Sequence, residues 1–452
     1  MRNHYILDFS AAAEFFRNNP IKIFALIIMI FHSQVSAQMK SMNIDRLSLN
    51  EATAIALNNN PTIRLAQSGY DVSTAGLRLS RSGLFPNINA SVQGSRTEGA
   101  FVFNPDFPPR EQKYNSYTTG LSVNQLIYDF GRTYSRISAG SNLVNASDLD
   151  VTAARENVVV NLQTAYFSFV QSIAVEKVNE ESLRQAEEHL KIARAFFNAG
   201  RRPQYDVTKA EVDAANANVA LLRSKNLIEI SRLQLENAMG ISANANFTPT
   251  DSLTVFPFNV SLDSARTIAF DNRAELKAQQ LRLQANQELV TSAWAQNLPA
   301  ISAFGTYNWS GYRPGDLRGR WNAGLSLNFP IFQGFAVSAQ VEQNQAQVEQ
   351  VQSNIEVLRQ SIMLDVSQNY MSLHEAMDRI EATNLLIRSA QENLNLAVGR
   401  YNSGVGSATE ITDAQLVLSN ARITYIQGLY DFNVSLIRLR KAMGTIDTGQ
   451  RQ

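Results

Sequence analysis

Two stretches of the chain, FNAGRRPQYDVTKA at 197–210 and YNSGVGSATEITDA at 401–414, are nearly the same sentence. Gly200 answers Gly404, Asp206 answers Glu410 and Thr208 answers Thr412, and an AMG triplet closes at Gly240 and again at Gly444. All four pairs lie the same number of positions apart. Each stretch reads as the end of one helix, a Gly-rich turn and the start of another. Gly200 and Gly404 suit helix C-termini, where a left-handed residue is commonly needed. A repeat of this length bounds the fold before any other feature does. A chain that writes one helical hairpin twice is built for a symmetric object.

The duplication extends outward from the turns. LSLNEATAIALNNNP near 47 and VSLDSARTIAFDNRA near 260 open the two halves, giving repeat 1 over 47–240, a non-repeated segment over 241–260, repeat 2 over 261–444 and a polar tail over 445–452. Ser48 and Glu51 have capping-box spacing, so a short helix starts there. A second helix follows from Pro61, a residue favoured at the first helical position. Pro86 and its twin Pro299 mark the switch out of helix.

After each proline the period becomes two. Ile88, Ala90 and Val92 alternate with Asn87, Asn89 and Ser91, and Ile301, Ala303, Gly305 and Tyr307 do the same with Phe304 as the exception. This predicts strands over about 87–95, 116–128, 300–310 and 321–332, joined by loops at 96–113 and 311–320. An ordinary β-sandwich with one wet face would also alternate. The polar face, however, is Asn, Ser, Thr and Gln with almost no charge, which suits a water-filled lumen. Trp309, Trp321 and Tyr307 sit near strand ends, where a membrane aromatic girdle would lie.

Four long helices complete the pattern, over about 131–199, 204–239, 334–403 and 408–443. Val348, Val351, Ile355, Leu358 and Ile362 are three and four apart, a coiled-coil seam. Ala210, Ala214, Ala217, Leu221, Ser224 and Ile228 form its counterpart on the first return helix, answered by Ala414, Leu418, Ala421, Tyr425, Gly428 and Phe432 on the second.

Composition excludes several chemistries. The net charge is zero, giving no global attraction for nucleic acid. There is no cysteine, so there is no disulfide, thiolate metal site or Cys nucleophile. Of four histidines, His4 and His32 fall in a targeting segment, and His189 with His374 are too few for a His-rich metal centre. No phosphate-cradling or nucleophile-elbow motif occurs, so the reading is no enzyme, no cofactor and no metal. Arg17, Lys22, the apolar run at 23–31 and VSA at 35–37 predict a signal peptide over 1–37, a retained anchor being the alternative. No other segment looks long and apolar enough for a transmembrane helix.

Four strands cannot close a barrel, and lipid does not tolerate an open sheet edge. The chain must therefore assemble, with eight strands as a dimer or twelve as a trimer. At this point it resembles the TolC-type outer-membrane efflux proteins, exit ducts of tripartite pumps and one-step (type I) secretion systems. The likeness rests on the opening motif, both helix–proline–strand junctions, both turns and both AMG endings. The fold class expected is mainly α with a β-barrel part: a long coiled-coil α-helical barrel plus four transmembrane strands per chain, twelve in a homotrimer.

The resemblance further implies an outer-membrane duct of a Gram-negative bacterium with a periplasmic helical extension. It implies partnership with a periplasmic adaptor and an inner-membrane transporter. Glu410 and Asp413 match acidic constriction positions, while Glu410 is equally explained as a capping residue beside Ser407. Tyr401 and Asp206 match residues of a polar gate latch whose basic position is here Gly406, with Arg201 and Arg202 in the first turn instead. Gly200, Arg201, Arg202, Gly404, Val405 and Gly406 match the adaptor-contacting turns. The competing readings are a pore-less periplasmic coiled-coil scaffold and, more remotely, an enzyme using the Glu410–Asp413 pair.

Overall fold

The structure is a computed structural model that describes residues 45–101, 110–241 and 247–448. The signal segment expected over 1–37 lies outside the described residues. The elements are β1 (Arg46–Leu47), α1 (Leu49–Asn59), α2 (Pro61–Ser82), β2 (Asn87–Phe101), β3 (Arg110–Tyr128), α3 (Arg132–Asn198), α4 (Gln204–Met239), β4 (Thr248–Pro249), α5 (Leu262–Asn272), α6 (Ala274–Trp294), β5 (Ala300–Gly311), β6 (Arg318–Asn328), α7 (Ala336–Asn402) and α8 (Ala408–Ala442). The long helices α3 and α7 each run 67 residues.

Local chemistry sets the boundaries. Ser48 and Glu51 close a capping box at the start of α1. Asn60 ends α1 and caps α2, accepting from Thr62 N at 2.9 Å, with Pro61 at the first helical position. The non-repeated segment is tied back to the chain start: β4 pairs in parallel with β1. Asp251 accepts from Leu49 N at 2.8 Å and from the buried Tyr166 hydroxyl at 2.7 Å.

The four long strands form one antiparallel sheet in the order β2-β3-β5-β6. Its register puts Ala90, Leu121, Tyr307 and Trp321 in one cross-strand row, and Asn89, Ser122, Thr306 and Asn322 in the next. Neighbouring rows point to opposite faces, so one face is apolar and the other polar. Phe304, the exception on the polar face, lies across Gly324, where an added Cβ would come within 3.1 Å of its ring. The β2–β3 hairpin is longer than expected. Residues 96–101 and 110–113, read from composition as loop, continue the ladder, with Glu98 opposite Lys113 in an ion pair. β6 begins at Arg318 and stops at Asn328 rather than reaching 332, since Pro330 cannot donate to a ladder.

The helices pack as the seam predicted: Ala210, Leu221 and Ser224 of α4 and Ala414, Leu418, Ala421 and Phe432 of α8 are all buried. α3 contacts α2, α4, α6 and α8, and α7 contacts α5, α6 and α8. Contrary to the sequence reading, α3 does contain a window apolar enough to cross a membrane, with mean hydropathy 1.4. Its apolar residues Val158, Val159, Leu162, Tyr166 and Phe169 are instead buried in the molecule. They are the packing face of a helix with several neighbours.

The AMG endings acquire a reason. Gly240 and Gly444 have φ of 70° and 66°. A Cβ on Gly240 would come within 2.9 Å of Asn60 Cα, and one on Gly444 within 2.9 Å of the Asn272 carbonyl carbon. Each return helix thus ends with its backbone pressed on the elbow between two shorter helices. Near the second elbow lies a charge cluster around two buried residues, Arg273 and Glu156: Arg273 pairs with Asp365 at 3.1 Å, the half-buried Lys441 with Glu275 at 3.3 Å, and Glu156 leaves Oε2 without a hydrogen-bond partner. Burial, aided by the Glu275 charge, pushes the Glu156 carboxyl up to about 7.

Two outcomes follow for the purified protein. Gly240→Ala or Gly444→Ala costs at least about 1–2 kcal/mol from the left-handed backbone alone, with the close contact adding to it, read as a lower denaturation midpoint in detergent. Glu156 binds a proton more tightly folded than unfolded, so its contribution is present below pH 4.5 and is lost as pH rises through about 7. Glu156→Gln removes that decline, leaving the variant more stable than the parent at pH 8; an unchanged pH–stability slope contradicts the assignment.

Candidate functional site: the paired hairpin tips

Both tips are built by the same backbone device. In the first, Gly200 N donates to Phe197 O at 2.9 Å and Arg201 N to Phe196 O at 2.9 Å. In the second, Gly404 N donates to Tyr401 O at 3.0 Å and Val405 N to Arg400 O at 3.1 Å. Gly200 and Gly404 take φ of 67° and 84°. These are helix C-terminal motifs that need a left-handed residue, which glycine supplies without strain. Gly200, Arg201, Gly404 and Val405 are exposed, Arg202 is half-buried and Gly406 is buried.

The two tips of one chain meet at Tyr401. This side chain is 1 % exposed and sits in a cluster with Leu394, Ala397, Ala408, Ile411 and Ala414, against Ile192 and Phe196 of α3. Its hydroxyl donates to Asp206 Oδ2 at 3.3 Å, and Asp206 is itself buried. Burial and the Asp206 charge push the Tyr401 phenol upward. The Arg202 guanidinium lies 4.6 Å from the centre of the Tyr401 ring and donates to Tyr401 O at 3.2 Å and to Gly406 O at 2.8 Å. A basic side chain has no room at position 406, where a Cβ would come within 2.9 Å of Arg400 Cβ and Tyr401 N. The first turn supplies the cation instead.

Glu410 and Asp413 part company. Glu410 completes a capping box with Ser407 and pairs with Arg400 at 3.1 Å. The hydrogen bond from Arg400, followed by those from Ser407, holds its carboxyl below the usual range. Asp413, on the next turn, is exposed. Three further participants were not assigned to the site from the sequence, although Thr412 was read there as the counterpart of Thr208 in the repeat. His189 is buried with its ring edge-on to Tyr401, the centres 5.1 Å apart, and its Nε2 has no hydrogen-bond partner. Burial holds the imidazole below its ordinary pKa, against the pull of Asp213 and Asp206. Thr412 donates to Asp213 at 2.6 Å, a further bond between the hairpins. Nothing in the periodicity marks these residues, because each is set by contact across the hairpins rather than along one.

At the far end, Tyr307, Trp309 and Trp321 share the apolar face of the sheet. Tyr307 is opposite Trp321 and its ring centre lies 4.4 Å from that of Trp309. Among the described residues, no group of three or more His, Asp or Glu is placed to hold a metal ion.

The chain matches the model of the family described as outer membrane efflux protein, over residues 53–241 and 267–445. It is similar to the probable efflux pump outer membrane protein TtgC of Pseudomonas putida, 24% identical over 408 residues that cover 88% of this chain and 83% of that one. It is similar to the outer membrane protein TolC of Escherichia coli, 22% identical over 409 residues covering 86% and 80%. Among solved structures, the Campylobacter jejuni CmeC outer membrane channel superposes with a TM-score of 0.80 at 21% identity, covering 89% of this chain and 87% of that one. The two matched segments straddle the non-repeated stretch, and between them they hold both tips and all four strands of the sheet: the chain belongs to the outer membrane efflux protein family.

Proposed function

We propose that three copies of this chain close into one duct through the outer membrane and periplasm, shut at the hairpin tips, which passes small molecules or polypeptides delivered by an inner-membrane transporter and a periplasmic adaptor. The observation that carries this reading is a set of apolar surfaces whose counterparts are already covered within the same chain. Aligned on their first residues, Pro61 and Ala274, α2 and α6 answer each other: Leu65, Val72 and Leu79 of α2 correspond to Ala278, Ala285 and Ser292 of α6. The first three are 74%, 72% and 74% exposed; the last three are 0%, 1% and 4% exposed, on a helix packed between α3 and α7.

The long helices show the same complement. Ala153, Val159 and Phe167 of α3 are buried, while Val357, Met363 and Met371, at the matching positions of α7, are exposed. What α6 does to α3 within a chain, α2 of the next copy does to α7. The sheet follows suit. Within the chain β3 pairs with β5, so β6, exposed along its whole length, pairs with β2 of the next copy. Carried over, the Val123–Gly305 pairing sets Leu327 opposite Val92, both on the apolar face.

Repeating this contact three times satisfies every strand edge in a twelve-stranded barrel, as the bilayer requires. The Tyr307, Trp309 and Trp321 cluster then meets lipid at the outer interface. The helices form the periplasmic barrel, and the exposed turn residues are the surface offered to an adaptor. Asp413, repeated about the axis, makes an acidic ring that favours cations, while Glu410 serves first as a helix cap. The duct is passive, with energy and choice of cargo supplied by its partners.

Two measurements test this. The chain has no native cysteine, so Val92→Cys with Leu327→Cys gives disulfide-linked trimers under mild oxidation, whereas Ile88→Cys with Leu327→Cys does not; the reverse result contradicts the closure. In planar bilayers the protein shows low, cation-selective conductance that rises and loses selectivity in Asp413→Ala combined with Glu410→Ala. Absence of conductance from an intact oligomer contradicts the duct and favours a scaffold.

A further inference from the structure

The polar face of the sheet carries charge in one place. Over residues 87–99, 116–124, 302–310 and 318–328, its positions are Asn, Ser, Thr, Gln and Gly, apart from Phe304 and two arginines. These are Arg318, opposite Ser310, and Arg320, opposite Asn308. Both are exposed, and neither makes an ion pair among the described residues. They lie at the start of β6, beside the β5–β6 turn, which adds Arg313 and Asp316. Carried over to the next copy, the β3–β5 register sets Gly99 opposite Arg320, so that row gains no acid from the neighbour.

The opposite face fixes where the two guanidinium groups point. Gly319, between them, lies under Tyr307, and a Cβ there would come within 2.6 Å of the Tyr307 hydroxyl. Trp321 stands opposite Tyr307 on the same apolar face. A slip of one residue would drive an arginine into this aromatic cluster and turn Trp321 among the polar side chains. On the polar side, the Asn308 side chain leans over Gly120 of β3, away from Arg320. Next-but-one residues on a strand are about 7 Å apart, within the Debye length of about 10 Å at 0.1 M salt. The two charges therefore repel each other and attract the same anion. A neutral polar residue, such as Asn322 one step along, would keep the face wet without that repulsion.

Both turns of the sheet lie at its end remote from the helices, because α2 and α6 lead in and α3 and α7 lead out at the other end. In the trimeric duct this end is the outer mouth, and the polar face is the lumen. We propose that Arg318 and Arg320, two from each of three copies, form a cationic ring inside the outer mouth that binds soluble multivalent oxyanions, phosphorylated or sulfated. The guanidinium fork matches the oxygens of such groups, and a ring of fixed charge in a pore selects by sign. Lipid headgroups meet the other face, so the ligand comes from solution. This inference rests on the reading of the chain as a trimeric duct, whose two ends would then carry opposite fixed charge, acidic at Asp413 and basic here.

The test uses the full-length trimer in planar bilayers of phosphatidylcholine, which carry no anionic lipid. Protein is added to one side, where the helical part, about 100 Å long, remains. The outer mouth then faces the opposite chamber. Inorganic tripolyphosphate added to that chamber reduces the current, and Arg318→Gln with Arg320→Gln raises the half-blocking concentration about tenfold or more. Arg318→Lys with Arg320→Lys keeps most of the block, and Arg313→Gln, in the turn outside the ladder, stays close to wild type. Equal block in wild type and the double Gln variant overturns the proposal. So does a loss in Arg313→Gln as large as in the double variant, which would mean diffuse charge at the rim. If the double Gln variant does not assemble, the single variants decide: unchanged block in both Arg318→Gln and Arg320→Gln overturns the ring. A conducting wild-type trimer that tripolyphosphate does not block removes the ring and leaves the duct standing, whereas an intact trimer without current removes both.

Discussion

Backbone hydrogen bonding at the two edges of a four-stranded sheet governs this molecule. Among the described residues, β2 and β6 each have one side unpaired. In water such edges invite uncontrolled pairing; in lipid each orphaned group costs several kcal/mol. The apolar face that suits the sheet to lipid is thus affordable only if the edges meet. The demand passes down the molecule through the helices. β3 runs into α3 and β6 into α7, each through two consecutive left-handed residues, Phe130 with Gly131 and Gly334 with Phe335. In the trimer proposed above, joining β6 to β2 of the next copy would therefore also bring α7 to that copy's α2. Exposed Leu65, Val72 and Leu79 are the helical expression of the same incompleteness.

The two tips show what duplication leaves free to vary. Their backbones use the same hydrogen bonds, because a helix that ends and reverses needs its last carbonyls satisfied and a left-handed residue. Their side chains have diverged into complementary halves. The first turn carries Arg202 and the second carries the buried Gly406 that accepts it. The first return helix begins with buried Asp206 and the second is preceded by Tyr401, which donates to it. A strictly symmetric pair would place like beside like, so the divergence is what lets two copies of one motif bind each other.

Much of this was legible in the sequence, and the parts that were not share a cause. Helix ends were read to within a residue or two, because Ser48, Pro61 and the closing glycines act locally. Strand faces were legible because the period of two is unmistakable from Ile88 to Val92. The hairpin length was missed: Arg96, Thr97 and Glu98 look like loop residues until Lys113 is seen opposite Glu98. The apolar window of α3 was missed as well, because its many neighbours remove the need for a polar face. At the tip, the resemblance pointed to Tyr401 and Asp206, which the structure joins by a hydrogen bond, but the contacts of Arg202 were not foreseen, nor was the burial of His189. Both depend on contacts between residues about half the chain apart, which no local pattern encodes.

Native mass spectrometry of the detergent-released, full-length protein tests the central claim most directly, because exposed strand edges and exposed apolar helix stripes demand the same number of copies. The account predicts a single species of three chains, with no stable monomer or dimer on dilution. A monodisperse folded monomer, or a dimer that resists dissociation, would contradict it.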